Sequence, residues 1–432
     1  MNISSSEESN EQNIKKCFSI YKFQEKTLSF SSKKPVEIQL KEAIDSAHVH
    51  LNNRETQNSN FEYNLMQSFS QITLILKKSQ TQIPAYSKQL KSLDELLLGL
   101  KKYFLSLPSN TKIELLKSCS QWPLLHTKNS SLSTLLSMSY TETLTLAEKA
   151  SLALALIRTK THDGLFETQL TRLLLPIDAT EINHISTAAR LIYIFATLVA
   201  NGAGDRSSLF IKEGISKYLG VMLNYMDDHC SEANSDDMSQ FYHGMNYLRI
   251  AYPEHFNNLP PRLANFVQTT FKFLKDNNTV TISHQQQQVY DELQKLDPNF
   301  KHEVLVGGRQ VDFFNPKTRQ IIFYNGPSHF LYSPEGLPSA LNPATVLSTK
   351  TLEQQGYVVT HISYFQWQEA GSERINFLKQ IMLPSMKPES LQEERDSSER
   401  KTSLAESPQL FWQKFSLPKK SSSKHAPLSP LG

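Results

Sequence analysis

The chain changes its hydrophobic period once, and that change limits the folds open to it. Upstream of about residue 280, leucines recur at spacings of three and four, the period of a helix face. Leu93, Leu96, Leu97, Leu100 and Phe104 form one such stripe, and Leu191, Ile194, Phe195 and Leu198 another. Between Glu303 and Trp367 the pattern turns to short β-rich runs at 303–306, 309–315, 319–325 and 357–362. Gly307-Gly308 and Asn315-Pro316-Lys317 separate the first three, and both suit tight hairpins. A helical stretch around 345–355, stopped by Gly356, precedes the fourth. Meander, helix, strand is an α/β pattern. The expected architecture is an α-helical N-terminal region, either a bundle or a helical-repeat superhelix, followed by a small α/β module.

Helix starts are legible where a small polar residue precedes a Glu by three, because the two side chains cap each other's orphan amides. Ser92 with Glu95, Thr111 with Glu114 and Thr145 with Glu148 fit, and Asp178 with Glu181 is analogous. Pro108, Asn201-Gly202 and Pro253 read as stops. The last three starts lie 34 and 33 residues apart, the spacing of a helix-pair solenoid. The residues between them show no matching self-similarity, so bundle and superhelix both stay open. The helix at 283–296 places Val289, Leu293 and Leu296 on one face and runs through Asp297-Pro298 into the first strand. It is assigned to the α/β module. The expected division is a disordered tail over 1–35, a helical region over 36–280, the module over 283–383 and a second disordered tail over 384–432.

Bulk properties exclude several classes. A formal net charge of +3 over 432 residues is far from that of a strongly basic, non-specific nucleic-acid binder. Cys17, Cys119 and Cys230 supply no disulfide framework and no cysteine zinc site. No apolar run reaches the ~18 residues of a membrane span. The N-terminal stretch is acidic and lacks an apolar core, so no secretory signal is read there and an intracellular, cytoplasmic location is expected. His48 and His50 are two apart and diverge on a helix. Asp227-Asp228-His229-Cys230 and His162-Asp163 have no second ligand pair, so capping or solvated roles are expected for all three groups. Leu410, Phe411, Trp412 and Phe415 form an aromatic patch that reads either as a linear motif for a protein partner or as a segment that docks on the chain's own surface.

One motif goes further. Gly326-Pro327-Ser328-His329-Phe330, directly after an apolar strand, resembles the signature of the RAP domain, a family of RNA-associated proteins in organelles and some intracellular bacteria. Val289-Tyr290-Asp291-Glu292-Leu293, Val311-Asp312-Phe313, Lys350-Thr351-Leu352-Glu353, Gly356-Tyr357-Val358-Val359 and a closing aromatic strand over 362–367 are similar to the family in order and spacing. The resemblance covers about residues 283–383. It implies a restriction-endonuclease-like fold, preceded by α-helices, that binds RNA in processing, stability or translation.

In active nucleases of that fold, an Asp near one strand end and a Glu-x-Lys on the next hold Mg²⁺ and activate water. Asp312 stands at the first position. Phe323 stands at the carboxylate position and Asn325 at the lysine position. The resemblance therefore implies a degenerate, non-hydrolytic module with no cofactor. Mg²⁺ and a catalytic Asp312 enter only if another group substitutes, with Glu335, Glu353 and His329 as candidates. The residues expected at RNA are Asp312, Asn325, Ser328, His329, Lys350, Tyr364 and Trp367, the last two by stacking on bases. Each has a plainer role as well: turn cap, solvated helix charge or core aromatic. From 299 to 383 the module has seven Lys or Arg (301, 309, 317, 319, 350, 374, 379) against six Asp or Glu (303, 312, 335, 353, 369, 373). Counterion release then contributes little to affinity, and the helical surface has to supply much of it. The alternatives are an active metal-dependent nuclease with a relocated carboxylate, and a protein-interaction scaffold or secreted bacterial effector.

Overall fold

A computed structural model describes residues 35–52, 61–78, 87–122, 135, 144–159, 170, 173–174, 179–201, 208–257, 259–276, 282–332 and 338–382. The two terminal tails, His162-Asp163, Asp178, Glu335 and the 410–415 aromatic patch lie outside these residues.

The N-terminal region is helical, as its period requires. Among the described residues its helices are α1 (Val36–Asn52), α2 (Phe61–Lys78), α3 (Ser87–Phe104), α4 (Ser109–Cys119), α5 (Leu146–Thr159), α6 (Ile185–Ala200), α7 (Ser208–His229), α8 (Ser235–Ala251) and α9 (Pro261–Asp276). Neighbours in sequence pack on one another, α1 on α2 and α3, α4 on α2 and α5, then α6 on α5, α7 and α8. The two leucine stripes are fully buried in one continuous core that runs from Leu40 to Val267. Burying a Leu or Phe side chain contributes about 1.5–3 kcal/mol, so these stripes hold the stack together. Asp227 caps α9 by accepting the Leu263 amide at 2.8 Å, and His229 stacks on Tyr225. Both are structural roles.

The helix starts correct the even spacing. Thr145 and Glu148 do cap α5 reciprocally, the Glu148 carboxylate accepting the Thr145 amide at 2.8 Å. Ser92 instead sits inside α3. Thr111 lies in the first turn of a helix that already starts at Ser109, after Pro108. α6 starts at Ile185, capped by His184. The described starts at 109, 146 and 185 are 37 and 39 residues apart rather than 34 and 33, and Asp178 lies outside the described residues. A capping box made of Asn234 and Asp237 opens α8. Its Asn-Asp pair escapes a search for Ser or Thr with Glu.

The C-terminal unit starts with α10 (His284–Leu296). The strands β1 (Lys301–Val306), β2 (Arg309–Asn315) and β3 (Gln320–Asn325) then form an antiparallel meander. Gly307 and Gly308 both have positive φ, 57° and 79°, which fits a two-residue turn between Val306 and Arg309. β3 begins one residue later than its β-rich run because Arg319 takes φ 55° to close the next turn, where the Asn315 side chain accepts the Lys317 and Thr318 amides. β4 (Phe330–Tyr332) and β5 (Pro338–Leu341) make a small separate ribbon. Then α11 (Pro343–Gln354) carries the chain back to β6 (Val358–Ser363), which lies parallel to β3, so the main sheet has the order β1-β2-β3-β6.

The closing aromatic run is a helix rather than a strand. β6 stops at Ser363, and α12 (Tyr364–Ala370) begins there. Ser363 and Gln366 form a capping box, with the Gln366 side chain accepting the Ser363 amide at 3.0 Å and the Ser363 hydroxyl accepting the Gln366 amide at 3.1 Å. That local capping overrides the β preference of the aromatics. α13 (Arg374–Ile381) follows and packs on α10.

The sheet is covered on both faces. On one, Val289 and Leu293 of α10, Trp367 of α12 and Leu378 of α13 pack on Phe313, Ile322 and Ile362. On the other, Leu352 of α11 packs on Val306, Val311 and Ile321. α11 also lies against α6 and α8, and its Leu347 joins Tyr332 in the helical core. The α/β unit is therefore seated on the helical region through α11 and the β1–β2 turn.

Candidate nucleic-acid interface

The sequence places Asp312 and Phe323 where adjacent strands should share a metal. The structure engages them with opposite faces of the sheet. The β2–β3 ladder is regular from Asn315 to Phe313. Beyond it, the Asp312 carboxylate accepts the Tyr324 backbone N–H at 2.7 Å, and its other oxygen accepts from the Gln286 amide of α10 at 3.2 Å. Phe323 packs with the α11-side cluster instead, its ring stacked on His361 at 5.5 Å between centroids.

The electrostatics of Asp312 follow from this position. Desolvation raises its pKa, the Tyr324 amide opposes the rise, and the nearby Glu303 carboxylate adds to it. The result is pushed up to about 7. Glu303 is the residue that sequence reasoning missed. It stands on β1 with φ 51°, a conformation non-glycine residues seldom adopt. Gln286 donates to both Glu303 and Asp312, so one amide bridges two carboxylates. Nothing in the local sequence marks this, since it depends on a kink in β1 and on the packing of α10. Among the described residues, no group of three or more His, Cys, Asp or Glu is placed to hold a metal ion.

Asn325 is buried. Its side-chain N–H donates to His361 Nδ1 at 2.7 Å. His361 Nε2 meets the Thr349 hydroxyl at 2.9 Å, and that hydroxyl donates to the Thr345 carbonyl. Desolvation, with His329 adding to it, holds His361 down at about 4, so the ring is neutral and Nδ1 is free to accept. Asn325 therefore ties β3 to β6 and α11. Trp367 is wholly buried with Arg374 over its ring, and Tyr364 is 7% exposed. Neither ring offers a face to a base, and both fill the core on the α12 side.

Ser328, His329 and Lys350 are different. The turn after β3 runs from Gly326 through a single 3₁₀ turn, Pro327–His329, and exposes Ser328 and His329. Asn342, the N-cap of α11, fastens this turn by donating to the Ser328 carbonyl at 2.9 Å, and His329 Nδ1 meets the Thr345 hydroxyl at 3.1 Å. Lys350 is exposed further along α11 and pairs with Glu353 at 2.6 Å. Glu353 thus neutralises a lysine and stands on α11, away from Asp312.

The turn and its setting, an apolar strand running into Gly-Pro-Ser-His-Phe with a helix and a parallel strand behind it, agree with the family comparison. Residues 322–381 match the model of the RAP domain. The chain carries a RAP domain. RAP domains are generally associated with RNA binding, and the matched stretch contains the exposed Ser328, His329 and Lys350. No curated protein matches the chain. The N-terminal part of the α/β unit, α10 and β1–β2, precedes the matched residues but completes the sheet and covers one of its faces. No helix among the described residues is long and apolar enough to cross a membrane.

Proposed function

We propose that the chain is an RNA-binding protein acting in RNA processing, stability or translation, and that its RAP domain is a nuclease-like scaffold that holds RNA without hydrolysing it. Phe323 carries this reading. A phenyl ring cannot ligate a hard cation, and this one is committed to His361 and the α11 side of the sheet. Asp312, the remaining expected ligand, has both oxygens engaged within the protein, by the Tyr324 amide and by Gln286. The exposed groups suited to RNA are Ser328, His329 and Lys350, and the near-neutral charge of the module leaves part of the affinity to the helical surface.

A second reading, a metal-dependent nuclease, is supported by one observation: Gln286 donates to both Glu303 and Asp312, which would make Glu303 the relocated carboxylate. Fluorescence anisotropy of end-labelled single-stranded and hairpin RNA, with the full chain at two salt concentrations and with Mg²⁺, separates the readings. Submicromolar, salt-sensitive binding of intact RNA supports a binder. Metal-dependent shortening of the RNA that is lost in Asp312→Asn and Glu303→Gln supports the nuclease.

A further inference from the structure

The Ser328 turn of the RAP domain does not face open solvent alone. It forms one wall of a cleft of about 380 Å³ against the helical region. Across from Ser328, Phe330 and Asn342 stand Gln121 and Trp122 after α4, Leu154 and Arg158 of α5, and Tyr193 of α6. The volume lies within the ~300–1,000 Å³ of pockets that take small organic ligands, and it has room for one nucleotide.

The lining has two chemistries. Leu154, Ile157, Phe330 and Pro343 offer an apolar wall, while Gln121, Tyr193, Ser328 and Asn342 offer hydrogen-bonding groups. Among the described residues that line the cleft there is no Asp or Glu and one Arg. Arg158 is exposed at the cleft. Desolvation pushes its pKa down. Tyr193 and Asp236 oppose this, and Arg190 adds to it. Among the described residues, no hydrogen bond or salt bridge holds the Arg158 guanidinium. Arg190 behind it donates to the Ser151 hydroxyl at 2.8 Å and keeps a buried Nε without a partner. The carboxylates acting on Arg190 are engaged elsewhere, Glu114 with Lys117 and Asp237 with Ser186 and the Asn234 amide, while Asp236 acts on Arg158 from beyond salt-bridge distance. The N-terminus of α11, at Asn342-Pro343-Ala344, also lines the cleft, so the positive end of a twelve-residue helix adds to the field there. A guanidinium that makes no salt bridge among the described residues, standing beside an apolar slot, suits an anion carrying a flat organic group.

We propose that this cleft is a nucleotide site that receives the phosphorylated end of an RNA strand, with the terminal phosphate on Arg158 and the base against the apolar wall. A slot the size of one nucleotide suits a strand end better than a strand passing through. The proposal rests on the RNA-binding reading for the source of the nucleotide. It makes the helical region and the RAP domain two halves of one site, and it gives the Ser328 turn a role distinct from hydrolysis.

The test uses the full chain and short RNAs of one sequence carrying a 5′-phosphate, a 3′-phosphate or hydroxyls at both ends. Tighter binding of one phosphorylated RNA, by about ten-fold, is expected. Arg158→Gln should abolish that preference and leave the affinity for hydroxyl-ended RNA unchanged, and Ser328→Tyr should abolish the preference as well. Ser328 is exposed, so its replacement blocks the cleft without touching the core, which covers the case in which Arg158→Gln fails to fold. Equal affinity for all three RNAs overturns the proposal while leaving the RNA-binding reading intact. Saturable binding of AMP or UMP without any phosphate preference among the RNAs assigns the cleft to free nucleotides and overturns its role at RNA ends. Absence of binding by every RNA removes the RNA-binding reading as well.

Discussion

Asp312 accepts the backbone amide of Tyr324 at 2.7 Å, one residue past the Phe323 that occupies the expected metal-ligand position. A carboxylate that could have faced a cation instead replaces a ladder hydrogen bond between β2 and β3. The acid is part of the sheet's hydrogen bonding.

This use of Asp312 gives stability a specific pH dependence. Its folded pKa is raised from 3.8 to about 7, so between those values the folded chain binds a proton that the unfolded chain has released. Stability then falls as pH rises through that window and levels off above it. At ~1.4 kcal/mol per unit, the effect is at most about 4 kcal/mol. Asp312→Asn should flatten this slope in urea denaturation between pH 4.5 and 8. An unchanged slope means that the carboxyl is not desolvated.

His361 imposes the opposite slope. Its ring is held down at about 4, so as pH falls below the ordinary histidine value the unfolded chain takes a proton that the folded chain refuses. Stability is lost from about pH 6.5 toward 4, by at most about 3 kcal/mol. The two groups partly cancel in the wild-type protein, so single variants are needed to see either. His361→Leu should remove the acid-side loss. It should also cost about 1–3 kcal/mol at neutral pH by leaving the buried Asn325 amide unpaired. Thermal melts at pH 5 and 7.5 read both effects.

Phe323→Glu tests whether the missing ligand alone explains the missing site. The new carboxylate would sit against His361 on the α11 side, not beside Asp312, and would bury a charge. A destabilisation of about 2–4 kcal/mol is expected, with no Mg²⁺- or Mn²⁺-dependent cleavage of labelled RNA. Cleavage that appears in this variant would show that the two positions can still share a metal.

Gly308→Ala tests how the α/β unit is seated. At φ 79°, with a new Cβ placed 2.5 Å from the Tyr242 hydroxyl of α8 and 3.2 Å from the Asn246 side chain, the methyl group has no room. A loss of about 1–3 kcal/mol is expected from backbone strain and the clash together. Hydrogen exchange should rise in β1, β2 and α8 together. A rise confined to the β1–β2 turn would mean that the contact does not couple the two regions.

Much of this was legible in residue spacing, because helix stripes and the Gly-Gly hairpin are local signals. Leu93 to Phe104 and Gly307-Gly308 behave as their sequence requires. The misread elements are those that local chemistry or distant packing decides. Ser363 and Gln366 turn an aromatic run into a helix, and Pro108 starts α4 ahead of Thr111. At the site, exposed turn residues were readable from Gly-Pro-Ser-His, but burial was not. Asn325 and Trp367 have the residue types of an RNA surface and the positions of a core. Glu303 and Arg158 were invisible for the same reason, since each matters only through elements far away in the chain.

The central claim is that the RAP domain holds RNA and leaves it intact. Incubating the full chain with a doubly end-labelled RNA hairpin in Mg²⁺ or Mn²⁺, and following anisotropy and fragment length in one experiment, tests it most directly. The account predicts submicromolar binding that weakens with salt, with both labels retained on full-length RNA. Metal-dependent fragments that vanish in Asp312→Asn, or no binding at any salt, would contradict it.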